Sequence, residues 1–224
     1  MRHITVGALV AFLSLAVASQ TAYGLAMLEL SDGITTITIT DGGVGDLNPA
    51  AGQITWLGAI GVWTSNTTTG WTKPFIGSPS IPHMDLNSID ASSSAGGTLT
   101  LKFTDTDFGP TPDGYYLRAD IGGTTAGTVT ASDLYDSGNS AFSGVTIATL
   151  GPFGPGAFSG SVGSAGIGGP GPYSLTKWVT IIHAGGGLTS FDFENTAVPE
   201  PASLLLLGSG LAGFGYLRRR SRRH

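Results

Sequence analysis

Residues 98–104 alternate strictly between polar and apolar side chains. Their sequence is Thr-Leu-Thr-Leu-Lys-Phe-Thr, so Leu99, Leu101 and Phe103 fall on one face of an extended strand. A period of two residues is typical of a half-buried β-strand, whereas an amphipathic helix repeats every 3.6 residues. This run therefore predicts a β-sheet that packs one face on a core.

Similar short runs recur along the chain, and no sustained helical period separates them. Glycine, at 36 of 224 residues, is about twice as frequent as usual, and it favours turns over helix interiors. We predict an all-β fold over residues 27–196, an antiparallel β-sandwich of jelly-roll or immunoglobulin-like type, with a closed barrel as the alternative. The predicted strands fall within residues 28–41, 53–57, 61–65, 84–89, 98–104, 115–121, 128–134, 144–150, 174–183 and 188–194.

Residues 151–172 are the most biased segment, composed largely of glycine, proline and serine. The segment fits either a flexible insertion or a pair of strands around 157–162 with glycine turns. We favour a long, partly ordered loop, because such composition offers few side chains for a core.

Charge is distributed unevenly along the chain. Fourteen acidic residues and only four basic ones lie between residues 27 and 198. An acidic body repels phosphate backbones, so we expect no nucleic-acid binding. The chain has no cysteine, which excludes disulfides, thiol catalysis and zinc–thiolate sites.

The N-terminus has the three-part layout of a secretory signal peptide. A short basic start, Met1 to His3, precedes an apolar run and then a more polar stretch with small residues. The spacing of these small residues allows cleavage after Ala18, Gly24 or Ala26. We therefore predict a signal peptide over residues 1–26, and hence use of the export machinery.

The C-terminus contains sixteen uncharged residues, 202–217, followed by a basic tail, 218–224. A helix of this length covers about 24 Å, and flanking arginines that snorkel would let it span a bilayer. We predict a single transmembrane helix over residues 202–217 with the tail on the cytoplasmic side. The residues expected to stop transfer are Arg218, Arg219, Arg220, Arg222 and Arg223.

A proline-bracketed tripeptide, Pro199-Glu200-Pro201, stands directly before this apolar segment. Two prolines hold their neighbours extended, as a processing enzyme requires. The tripeptide, the apolar segment and the arginine cluster together resemble the PEP-CTERM sorting signal, which would occupy residues 197–224. The resemblance implies a bacterial protein that an exosortase recognises through this tripeptide. It also implies a membrane-anchored precursor in the inner membrane that ends in the periplasm, at the cell surface or in the extracellular matrix.

Two acidic loops are candidate Ca²⁺ sites, because carboxylates spaced two apart beside glycine can supply oxygen ligands. Neither loop matches an EF-hand, and turn chemistry explains the same residues equally well. The candidate ligands are Asp41, Asp46 and Asn48 in the first loop and Asp105, Asp107 and Asp113 in the second. No other cofactor is expected.

Trp71 is the candidate platform for a sugar ring, because it falls in a polar segment, residues 66–74, that we predict to be an exposed loop. We expect Trp56 and Trp63 to fill the core instead. Catalysis has little support: His83 and His183 show no metal-binding spacing, and a glycosidase pair would have to use Glu29 and Glu194.

The sequence therefore favours an exported, non-enzymatic protein of the cell surface or extracellular matrix. A glycan-binding or Ca²⁺-dependent adhesive module is the alternative, with extracellular polysaccharide as its partner. A secreted polysaccharide hydrolase is the third hypothesis.

Overall fold

The computed structural model of the protein describes residues 24–200 and Ser209. Within residues 24–200 the chain forms twelve β-strands, which confirms the predicted all-β class. The strands are β1 (Met27–Ser31), β2 (Thr36–Thr40), β3 (Gln53–Ile60), β4 (Trp63–Trp71), β5 (His83–Ser93), β6 (Gly97–Phe108), β7 (Tyr115–Thr125), β8 (Thr128–Asp136), β9 (Val145–Phe153), β10 (Gly156–Gly166), β11 (Tyr173–His183) and β12 (Gly187–Pro199).

The strands form two antiparallel six-stranded sheets that pack face to face. Sheet A has the order β2-β1-β6-β11-β8-β9, and sheet B has the order β10-β7-β12-β5-β4-β3. Two separate sheets confirm the sandwich and exclude the closed barrel. The chain changes sheet at most of its connections, so strands adjacent in sequence commonly lie on opposite layers.

Most of the predicted signal peptide lies outside the described residues, as do the predicted transmembrane segment, 202–217, apart from Ser209, and the basic tail, 218–224. In the part of the chain that the structure describes, no helix has the length and apolar character needed to cross a bilayer.

The core lies between the sheets and is built from the alternating residues of each strand. Leu99, Leu101 and Phe103 of β6 are buried as predicted. Gly70 of β4 faces Phe103 from the opposite sheet, and a Cβ there would lie 2.6 Å from the ring. The absence of a side chain at Gly70 is therefore what lets the aromatic ring fill the space between the layers. Trp56 and Trp63 are also core residues, as expected.

The prediction of a loop over residues 151–172 is wrong for most of that segment. β9 continues to Phe153, and β10 pairs with β7 along the edge of sheet B. The stacked rings of Phe153 and Phe158, with centroids 4.8 Å apart, link the two edges of the sandwich. An edge strand needs hydrogen bonds on one side only and few buried side chains, so a glycine-rich sequence can form one.

The two ends of the sandwich differ. The turns at one end are short, whereas the longer loops all lie at the other, which we call the loop end; they cover residues 41–52, 72–82, 109–114, 137–144 and 167–172. Both Gly24 and Glu200 also lie at the loop end, because β1 begins there and β12 finishes there. Ala26 is buried, and the Leu25 N–H donates to Thr106 Oγ1, so the chain already packs on the domain before β1.

A buried polar cluster connects the two sheets in the middle of the core. Lys177 Nζ of β11 lies 3.5 Å from Asp133 Oδ1 of β8 and 3.6 Å from the centre of the Phe193 ring. Asn195 of β12 donates to the same Asp133 oxygen and accepts a hydrogen bond from the Met84 N–H. Burial raises the pKa of Asp133 and lowers that of Lys177, and the attraction between the two opposes both shifts.

Removing the charge of either Asp133 or Lys177 alone should destabilise the domain more than removing both charges together. We expect Asp133→Asn or Lys177→Met alone to lower the free energy of unfolding by about 3–5 kcal/mol, because each leaves one buried ionisable group without its partner. The double variant should recover most of that loss, since the amide oxygen introduced by Asp133→Asn would still accept the hydrogen bond from Asn195. Urea unfolding of the four proteins tests this, and strictly additive losses would contradict it.

Candidate functional site

The predicted sorting tripeptide begins inside the last strand of the fold. β12 pairs with β5 as far as Thr196 and with β7 as far as Pro199. Beyond the strand, the Glu200 N–H donates to the Gly114 carbonyl oxygen at 2.6 Å. No linker therefore separates the folded domain from Pro199 and Glu200.

The position of Pro199 fits the hydrogen-bond pattern of the ladder. Pro199 lies opposite Tyr115, and the next residue bonds to Gly114 beside β7, so Pro199 occupies a non-hydrogen-bonded position. A proline loses no ladder bond there, because its nitrogen faces away from β7. Pro199 and Glu200 are both exposed. The tripeptide thus starts as an extended, solvent-facing continuation of the sheet.

The first predicted Ca²⁺ loop uses its carboxylates to hold its own backbone. Asp46 accepts hydrogen bonds from the N–H groups of Gly42, Asn48 and Thr55, and Asp41 accepts one from Gly52. These bonds are the turn chemistry that was the alternative explanation.

The second set of predicted ligands does not converge. Asp105 is buried and pairs with Lys73 Nζ at 2.7 Å, and Thr72 donates to the same oxygen. Burial raises the pKa of Asp105 and lowers that of Lys73, against their mutual attraction. Asp107 instead accepts from the Asn139 amide, and Asp113 lies in the following loop.

Among residues 24–200, no group of three or more His, Asp or Glu side chains is placed to hold a metal ion. The Ca²⁺ site stays a prediction.

The outer face of sheet B carries a polar surface that sequence reasoning missed. Strand register places four residues of neighbouring strands directly opposite one another, in a row that we call the acidic row: Trp71 of β4, Asp85 of β5, Glu194 of β12 and Asp120 of β7. Open recesses adjoin this row over Gly122 and are lined also by Asn87, Ser88, Asp90 and Asp192. Acidic, hydroxyl and amide groups together form a shallow groove across the strands.

Like charges on directly opposed strand positions destabilise a sheet. Two carboxylates of the acidic row have basic partners: Glu194 contacts His83 Nε2 at 2.7 Å, and Asp120 contacts Arg118 at 2.9 Å. Asp85 has only the Asn87 amide, at 3.3 Å, and its other oxygen has no hydrogen-bond partner among the described residues. Burial raises the pKa of Asp85, the Asn87 hydrogen bond and the positive charge of Lys177 oppose this shift, and Glu194 and Asp192 add to it.

Trp71 does not lie in a loop, contrary to the prediction. It is the last residue of β4, half-buried, and its ring meets Phe75 edge-on with centroids 5.3 Å apart. The segment forms a strand because its threonines pair with β3 and β5, and threonine suits a pleated sheet. Trp71 is the end member of the acidic row, directly opposite Asp85.

The two glutamates considered for a glycosidase pair lie on different layers. Glu29 is on sheet A, bound to Lys102 at 2.9 Å, whereas Glu194 is on sheet B, so the two cannot flank one bond. His183 is buried between Ser93 and Thr189, at 2.6 and 2.8 Å, and burial lowers its pKa. Hydroxyl groups bind both ring nitrogens of His183, so this residue bridges the two sheets. Neither ring nitrogen contacts a carboxylate, as the histidine of a catalytic triad does.

Removing the Asp85 charge should stabilise the protein at neutral pH. A carboxyl with a raised pKa favours the fold when protonated, so its contribution is present below about pH 3.8 and is lost as pH rises through the folded-state pKa. We expect Asp85→Asn to gain about 0.5 kcal/mol at pH 7, and the gain to vanish near pH 3.5. Thermal unfolding against pH measures this. Asp120→Asn is the control, because it loses the Arg118 pair and should gain nothing; a less stable Asp85→Asn at pH 7 would contradict the account.

The segment that continues β12 matches a known family model. Residues 197–221 match the family model described as the PEP-CTERM protein-sorting motif. No curated protein matches the chain. The match includes the tripeptide Pro199-Glu200-Pro201, the apolar segment and the first arginines of the tail. Residues 197–221 therefore carry a PEP-CTERM protein-sorting motif, which implies exosortase-dependent sorting to the cell envelope or surface.

Proposed function

We propose that this protein is a non-enzymatic component of the cell surface or extracellular matrix, which an exosortase processes near Pro199-Glu200-Pro201. The observation that carries the proposal is the continuity of β12 with the matched sorting motif. A strand in the interior of sheet B holds Pro199 and Glu200 at the surface, so the domain is cargo attached directly to its own sorting signal.

The route follows from the charge pattern of the chain. A signal peptide within residues 1–26 exports the acidic domain, and cleavage after Ala18 or Gly24 leaves the packed Leu25 and Ala26 in the domain. Residues 202–217 hold the precursor in the inner membrane, with the arginines inside. The loop end supports this arrangement, because Gly24 and Glu200 both lie there and both apolar segments then attach on one side of the domain. Processing leaves the domain in the periplasm, on the surface or in the matrix.

The C-terminal residue of the mature protein tests this proposal. We expect intact-mass analysis of protein recovered from cells and medium to show loss of residues 202–224 and retention of β12, since Phe193 and Asn195 are core residues. Replacing Pro199 and Pro201 with alanine should leave the precursor uncut. A mature protein that keeps its arginine tail would contradict the processing step.

Glycan binding by the groove on sheet B is the second candidate function. Trp71 lies opposite Asp85, one of the residues that line the groove with carboxylates and an amide, and a flat ring beside such polar groups suits a sugar chain. Extracellular polysaccharide is the ligand class that fits an exported domain. The groove is open, which suits a long chain better than a small molecule.

Substitution of Trp71 tests this second function. If the groove binds polysaccharide, Trp71→Ala should weaken co-sedimentation with extracellular polysaccharide about tenfold or more, as loss of a stacking contact worth about 1.5 kcal/mol implies. Trp178→Ala is the matched control, because Trp178 lies exposed on the outer face of sheet A. Equal binding by the wild type and both variants would contradict glycan binding by the groove.

A further inference from the structure

The end of β12 is paired on one side only. Thr196 is the last residue that pairs with β5, whereas pairing with β7 continues through Val198 and Pro199. Ala197 marks the boundary: its side chain is buried, and its N–H donates to the Pro82 carbonyl oxygen at 2.9 Å. Beyond Ala197 the chain has one free edge and one edge bound to the start of β7.

The contacts that hold this last part are few and local. Val198 is half-buried, Pro199 and Glu200 are exposed, and the Glu200 N–H bonds to Gly114. Residues with few buried contacts open locally without unfolding the domain. Residues 198–200, which we call the strap, can therefore detach from β7 while Ala197 stays in the core.

Enzymes that cut a folded chain act on the locally opened fraction. A processing enzyme that binds an extended peptide pairs with its backbone groups. The free edge of the strap offers no N–H donor, because Pro199 has none and the N–H groups of Val198 and Glu200 face β7. We propose that residues 114–116 of the β6–β7 loop and β7 are positioning residues for the sorting motif, and that release of the strap from β7 limits processing. This inference rests on the proposed function, since it concerns the step before the exosortase acts.

Two sets of variants of the full-length chain test the inference in cells that contain the processing enzyme. A six-residue Gly-Ser spacer between Val198 and Pro199 separates the tripeptide from the ladder. The control carries the same spacer between Gly185 and Gly186, in the β11–β12 turn at the other end of the sandwich. We expect the first spacer to raise the rate of precursor loss in a pulse-chase about fivefold, the factor expected for one backbone hydrogen bond, and the second to leave the rate unchanged.

A reversible lock provides the second measurement. Val198 lies directly opposite Tyr116 in a hydrogen-bonded pair, because the next residue, Pro199, occupies the non-hydrogen-bonded position. Hydrogen-bonded pairs have Cα atoms about 5.5 Å apart, within the reach of a disulfide. Because the chain has no cysteine, Tyr116→Cys with Val198→Cys introduces one defined pair. We expect the oxidised double variant to be processed at least about fivefold more slowly than either single variant, and reduction to restore the rate.

The outcomes separate the inference from the proposed function. Equal rates for the locked and reduced proteins, or no acceleration by the first spacer, would overturn the strap mechanism while processing itself stands. A wild-type precursor and a spacer variant that both stay uncut would overturn the proposed function, and the strap mechanism with it.

Discussion

The pairing of β12 with β5 and β7 is the interaction on which the rest of the structure depends. This strand lies inside sheet B, and its inward residues Phe191, Phe193 and Asn195 fill the core or bind the buried Asp133. Until the chain has been synthesised as far as residue 199, sheet B lacks β12, the strand that joins β7 to β5. The same strand continues into the sorting motif, so completion of the fold and presentation of the motif are one structural event.

Two features of the domain cost stability and therefore invite a functional explanation. The cluster of Lys177, Asp133 and Asn195 places charge between the two sheets, and its hydrogen bonds tie β8, β11 and β12 together. The acidic row sets like charges opposite one another on the outer face of sheet B. The first cost is offset within the core by pairing. The second is only partly offset, by His83 and Arg118, which is what distinguishes the groove from an ordinary solvated face.

The alternation of apolar and polar residues within each strand predicted much of the fold. The remaining features depend on the register in which the strands pair. The alternation in β6 and β12 is readable because each strand has one buried face, and the tripeptide is readable because proline fixes its own backbone. For residues 151–172 the loop was favoured over the strand alternative, because an edge strand such as β10 can form from glycine and serine without an apolar pattern. The acidic row was missed for a different reason: Asp85, Glu194 and Asp120 are far apart in sequence and meet only through the pairing of three strands. Lys177 reads as a surface residue until its alternation with Leu175 and Val179 places it inside.

Amide hydrogen exchange at single-residue resolution, on the full-length unprocessed protein, tests the central claim most directly. If β12 continues without a break into the sorting motif, the N–H groups of Val198 and Glu200 exchange more slowly than in a free peptide of the same sequence. They should also exchange faster than the N–H of Ala197, which is bonded to Pro82. Free-peptide exchange at both Val198 and Glu200, beside a protected Ala197, would show that the motif hangs free of the domain and would contradict the account.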